Sequence, residues 1–214
     1  MVAEIRIAPG SGSWLRLARL AKILASLTLF WLGIEGVIGV IAGILAGSIA
    51  LVAFGLDSGI EGLASVIVIW RFTGARTISA QAEQRAQKWV AISFYLLAPY
   101  VAAEAIETLI EGAAAETSWI GIGLTAVTLV LCPMLGVAKQ RIGAKLESRA
   151  TYGEGTQNLL CAILAGAVLV GLAANTLFGL WWLDPVIALS IASLCVREGR
   201  RAWRGEQCGC ATCA

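Results

Sequence analysis

Apolar and polar positions along this chain alternate in long blocks. Six apolar runs recur, most of them about the ~20 residues a helix needs to cross a bilayer, separated by shorter polar segments. The blocks predict an all-α membrane protein with six transmembrane helices, near residues 23–45, 47–71, 89–110, 119–138, 153–180 and 184–196. Residues 14–22, WLRLARLAK, put Arg16, Arg19 and Lys22 at three-residue steps and read as a basic interfacial turn of helix leading into the first span. Pro99 and Pro133 fall inside the third and fourth runs as candidate kinks, and Trp181 with Trp182 makes an aromatic pair of the membrane-interface type.

The placement of charge orients these spans. All 16 Lys and Arg residues lie in four groups, 6–22, 71–88, 139–149 and 197–204. The connections after spans one, three and five hold none, and carry Glu111, Glu116 and Asp184 instead. Positive loops stay on the cytoplasmic side, so both termini are expected there. Composition agrees: the chain of 214 residues is 58% hydrophobic and 14% charged, with mean hydropathy +0.81, against ~25% charged in soluble domains. A net charge of +2 gives no case for nucleic acid. The expected organisation is a cytoplasmic tail with its basic interfacial helix (1–22), a six-helix domain (23–204) and a Cys-rich cytoplasmic tail (205–214) in a multi-pass plasma or inner-membrane protein. Nothing at the start reads as a cleaved signal.

The second run is where chemistry enters. GSIALVAFGLDSGIEGLASVIVIWR carries Asp57 and Glu61, four apart and therefore on one side of a helix. A carboxylate at membrane depth costs about 3 kcal/mol, and a bound cation would offset that. The fifth run echoes the second: Ser48-x-Ala50 leads to Asp57 and Glu61, and Ser148-x-Ala150 leads to Gln157 and Cys161 at the same offsets. The two helices start from opposite surfaces, so both pairs reach a similar depth, an inverted-repeat-like arrangement of helices 2 and 5 with its site near the midplane. Asp57, Glu61 and Cys161 are donor types that zinc accepts, and Gln157 is a weaker one. Glu154, Asn158 and Glu35 are accessory candidates. Each also has a structural reading: Cys161 as a core thiol, Gln157 and Asn158 as interhelical hydrogen-bonding groups, Glu154 as an acid at a positive helix start. There is no histidine, so proton coupling would fall on carboxylates or thiols. Cys208, Cys210 and Cys213 form a CGCATC tail suited to capturing a soft or borderline cation on the cytoplasmic side.

With these motifs the chain resembles the cation diffusion facilitator family. GSIALVAFGLDSGIE is similar to that family's second-span pattern GS-x-AL-x-AD-x-x-H/D-x-x-x-D, with Phe54 where an acid is common. SRATYGEGTQNLLC resembles its fifth-span pattern, with Glu154 at an Asp position, Gln157 at the ligand His and Cys161 at the ligand Asp; WWLDPVIALSIA resembles its sixth-span entry. The resemblance covers about residues 25–204, without the family's C-terminal cytoplasmic domain. It implies no enzyme and no resident cofactor, but a carrier of a divalent metal cation such as zinc or cadmium, exchanged for protons and moved out of the cytoplasm. Asp57, Glu61, Gln157 and Cys161 would be ligands and membrane helices would form a homodimer. The lost histidine and gained thiol leave two alternatives: a metal-binding or sensing membrane protein without transport, and a structural partner subunit.

Overall fold

In the computed structural model, residues 8–46, 49–112, 119–178 and 182–205 are described. Every regular element among them is helical: α1 (Gly12–Ala46), α2 (Ile49–Arg71), α3 (Ala80–Glu111), α4 (Trp119–Leu146), α5 (Arg149–Phe178) and α6 (Leu183–Arg204), with a 3₁₀ turn at Gly74–Ile78 between α2 and α3. Three stretches are long and apolar enough to cross a membrane among the described residues: Gly12–Ala42, Ala80–Ile110 and Ile122–Leu146.

The basic segment 14–22 is helical. It continues into α1 without a break, because nothing between Gly12 and Ala46 interrupts the helical pattern. The helix begins where Ser11 Oγ accepts the backbone N–H of Trp14 at 3.3 Å, an N-cap that satisfies one orphan donor. Buried positions along α1 then recur every three or four residues: Trp14, Ala18, Ala21, Ala25, Thr28, Leu32, Glu35, Gly39 and Ala42. That spacing is a single inward stripe. Phe30, Val37 and Leu45 on the other side are exposed, as lipid-facing side chains are. The basic connection expected at 139–152 is reassigned. α4 runs on to Leu146, and only Glu147, at φ 52°, and Ser148 separate it from α5. Pro99 and Pro133 lie inside continuous helices.

The most extensive packing pairs α4 with α5, α1 with α2 and α3 with α6. α2 also packs on α3 and α5, and α5 on α3 and α6, so these two helices sit at the centre of the bundle. Two glycine contacts set how closely the outer pairs approach. A Cβ on Gly55 would lie 2.7 Å from Gly36 O and 2.6 Å from Val40 N; one on Gly155 would lie 2.7 Å from Gly136 O. Small residues permit such backbone approach in membrane bundles. Gly55→Ala and Gly155→Ala are each expected to lower stability by about 1–3 kcal/mol through overpacking, read as a lower unfolding temperature in detergent. Gly59→Ala is the control, since its added Cβ meets nothing within 4 Å.

One end of the bundle is fastened by Glu83. Its carboxylate accepts Arg71 Nε at 2.8 Å, the Ala150 backbone N–H at 3.1 Å and the Ser148 hydroxyl at 3.1–3.2 Å. The last turn of α2, the first of α3 and the start of α5 are thereby joined. Arg71 reaches further, donating through Nη1 to Arg76 O. Trp14, Val68, Phe72, Phe94 and Leu146 belong to the apolar core.

Candidate functional site

The inward face of α2 is polar for three turns. Asp57, Ser58, Glu61 and Ser65 are buried, and Leu56, Leu63 and Val66 on the same helix are exposed. The i, i+4 spacing read from the sequence therefore turns Asp57 and Glu61 into the bundle and away from lipid. On α5 the buried face carries Glu154, Gln157, Asn158 and Cys161, with Ile163 exposed. α2 and α5 pack on one another, so the two polar faces share one interior.

Carboxylates in this interior differ in how well they are met. Glu35 of α1 is fully buried, at 0% exposure, and well satisfied: it accepts Ser58 Oγ at 3.2 Å and Thr128 Oγ1 from α4. Glu61 is its opposite. At 3% exposure, neither of its oxygens has a hydrogen-bond partner of ordinary geometry, and Asp57 Oδ1 is unpartnered as well. The Cys161 thiol lies against Glu61 as a loose neighbour and also against the Cys132 thiol of α4. Unmatched buried acceptors are costly, so this part of the core has spare capacity for a cation or protons.

Gln157 is committed elsewhere. Its Nε2 donates to Ser93 Oγ of α3 at 3.0 Å, and its Oε1 has no partner. Glu154 Oε1 accepts Ser65 Oγ at 2.7 Å and Lys139 Nζ at 2.6 Å, and Lys139 also donates to Asn158 Oδ1 at 2.9 Å. Asn158 Nδ2 points back towards Cys132 Sγ at 4.0 Å. Of the residues singled out from the sequence, Asp57, Glu61 and Cys161 fall into one neighbourhood. Glu35 adjoins it through Ser58, while Gln157, Glu154 and Asn158 are held in side networks. Among the described residues no three Asp, Glu or Cys side chains converge closely enough to hold a metal ion. Cys208, Cys210 and Cys213 lie outside the described residues.

Sequence reasoning passed over the contributors from α4. Thr128, Cys132 and Lys139 are each 0% exposed. Their steps of four and seven residues keep them on one helical face, a pattern visible in the chain but hidden by assigning Lys139 to a connection. Ser65 was missed similarly, although it continues the Asp57, Glu61 series by one more turn.

The fold and site define a helical membrane domain with a core of acids, amides and thiols between its two central helices. Residues 23–204 match the cation efflux transmembrane domain family, and the chain belongs to that family. It is also similar to Transmembrane protein 163 of Xenopus laevis, at 26% identity over 148 residues, which is 68% of this chain and 53% of that protein. The chain thus spans about half the length of that relative.

Proposed function

We propose that this protein carries a divalent metal cation, zinc or cadmium in type, out of the cytoplasm in exchange for protons. The carrying observation is the pair Asp57 and Glu61: buried on the inward face of α2, beside Cys161, with three carboxylate oxygens unpartnered. A cation between α2 and α5 would take Asp57, Glu61 and Cys161 as ligands, with Gln157 added once it leaves Ser93. Cys132 is a further thiol within the same neighbourhood. The mixed oxygen and sulfur set suits a borderline ion better than calcium or magnesium. Ligation requires these side chains to draw together, and alternating access by rocking helices supplies such a movement. Protons compete for the same carboxylates and release the cargo on the far side.

The finer architecture belongs to the same proposal: six spans, both termini cytoplasmic, a homodimer held by membrane helices, residence in the cell membrane, and an inverted repeat. Support for the repeat comes from spacing. Gly36 and Gly55 make one close approach, and Gly136 and Gly155 make another one hundred residues on; Thr28 and Thr128, buried on α1 and α4, keep the same offset.

Full-length protein in liposomes with a pH gradient should accumulate zinc or cadmium. Asp57→Asn should abolish that flux, leaving folding intact by size-exclusion chromatography. Equal flux in the variant and the wild type would refute the site. Tight metal binding with no flux would favour the second reading, a metal-handling membrane protein, for which the separated ligands and the Gln157–Ser93 bond are the motive.

A further inference from the structure

A lysine with no exposed surface is unusual anywhere and more so in a membrane bundle. Lys139 has 0% exposure, and its ammonium is held by Glu154 Oε1 at 2.6 Å and Asn158 Oδ1 at 2.9 Å. Ser65 Oγ meets the same Glu154 oxygen at 2.7 Å, from α2. The other oxygen, Glu154 Oε2, is buried and has no partner. Remove the lysine, and the Glu154 carboxylate and the Asn158 carboxamide of α5 remain around the vacated point, with the Ser65 hydroxyl of α2 beside the same Glu154 oxygen. That is a cation-binding place made of carboxylate, carboxamide and hydroxyl, the donor set hard divalent ions take. It differs in kind from the acid and thiol neighbourhood of Asp57, Glu61, Cys132 and Cys161.

We propose that Ser65, Glu154 and Asn158 form a second cation position in the bundle core, and that the chain fills it with its own Lys139 ammonium. The tethered charge neutralises Glu154 without a mobile ion and removes Glu154 and Asn158 from the ligands open to cargo. The inference deepens the transport reading, because it confines cargo to the Asp57 and Glu61 side. The position itself depends only on the contacts around Lys139. One consequence is selectivity: an oxygen-only site for hard cations is closed, and the thiol-containing one is left.

Manganese is the probe, since it favours oxygen donors and cysteine thiols compete for it weakly. Mn²⁺ bound per chain is counted by electron paramagnetic resonance of the free ion, on full-length protein in detergent. Lys139→Met should bind one more Mn²⁺ per chain than the wild type, and Lys139→Met with Glu154→Gln should return to the wild-type number. Lys139→Gln keeps an N–H donor for Glu154 and covers the case in which Lys139→Met does not fold; it should gain the same ion at lower affinity. No gain in either single variant overturns the proposal, as does a gain that survives Glu154→Gln. Asp57→Asn provides the separation from the transport reading. Its readout is zinc flux in liposomes: if Asp57→Asn abolishes flux but Lys139→Met gains no Mn²⁺, the second position fails and the acid pair stands; if Lys139→Met gains its Mn²⁺ and Asp57→Asn carries zinc like the wild type, the acid pair fails and the second position stands.

Discussion

Glu61→Met is expected to raise the unfolding temperature of the metal-free protein and to abolish much of the further rise that the proposed zinc or cadmium cargo would give the wild type. Glu61 is 3% exposed and both its oxygens lack partners. Its carboxylate therefore sits in the core without the hydrogen bonds that Ser58 and Thr128 give Glu35. A buried charged acid without partners is costly, and whether the carboxyl is ionised or protonated its polar atoms stay unmatched. Methionine has nearly the same length and no polar oxygen. The apo protein should gain about 2–3 kcal/mol, the desolvation it no longer bears. Ligand linkage works the other way in the wild type: at one hundred times the dissociation constant, a bound cation stabilises by about 2.7 kcal/mol. The variant forfeits that increment at this site, so its stability should respond weakly to metal. Thermal unfolding in detergent, with and without zinc, reads both terms. A variant less stable than the apo wild type would mean that the Cys161 neighbour already satisfies the carboxylate, and the site would then have no strain for a cation to relieve.

The same contrast explains which parts of the site were legible in the chain. Asp57 and Glu61 were legible because an i, i+4 pair in an apolar run has only one sensible direction to face. Cys161 followed from its offset after Ser148. Glu35 stood out as the only acid of its run, and its place in the inward stripe of α1 could be read from the 3–4 spacing of Thr28, Leu32 and Glu35. What could not be read was the division of these groups into separate networks. Whether Gln157 bonds Ser93 or turns to an ion depends on how α3 packs on α5, a tertiary fact with no local signature. Lys139 was misplaced for a physical reason. Basic residues cluster at membrane surfaces, so Lys139, Arg141 and Lys145 together read as a loop, yet the helix continues through them and only Lys139 turns inward; Arg141 and Lys145 are exposed. The fold followed more simply. Long apolar blocks with short polar breaks leave helices as the only way to satisfy backbone groups in lipid, and the boundaries moved where a basic segment proved to be more helix.

The buried ion pair predicts a large loss of stability, in a form that separates the pair from its parts. Lys139→Met alone leaves Glu154 with Ser65 as its remaining donor, and Glu154→Gln alone leaves an ammonium whose remaining partner is Asn158. Breaking a buried pair by removing one member costs about 3–5 kcal/mol, because the survivor is an uncompensated charge in a low dielectric. Replacing both charges together is often neutral or stabilising, since the desolvation of two ions disappears with their attraction. The double variant Lys139→Met with Glu154→Gln should therefore unfold close to the wild type, with each single variant well below both. A double-mutant cycle on thermal or denaturant unfolding in detergent measures the coupling. Additive losses would show that the two side chains do not depend on one another, and Lys139 would then be compensated by Asn158 in place of Glu154. A large positive coupling means that α4 and α5 are joined through a charge pair at the centre of the domain. Any movement of α5 that rearranges Gln157 and Cys161 must then carry Lys139 with it, or break the strongest polar contact between the two helices.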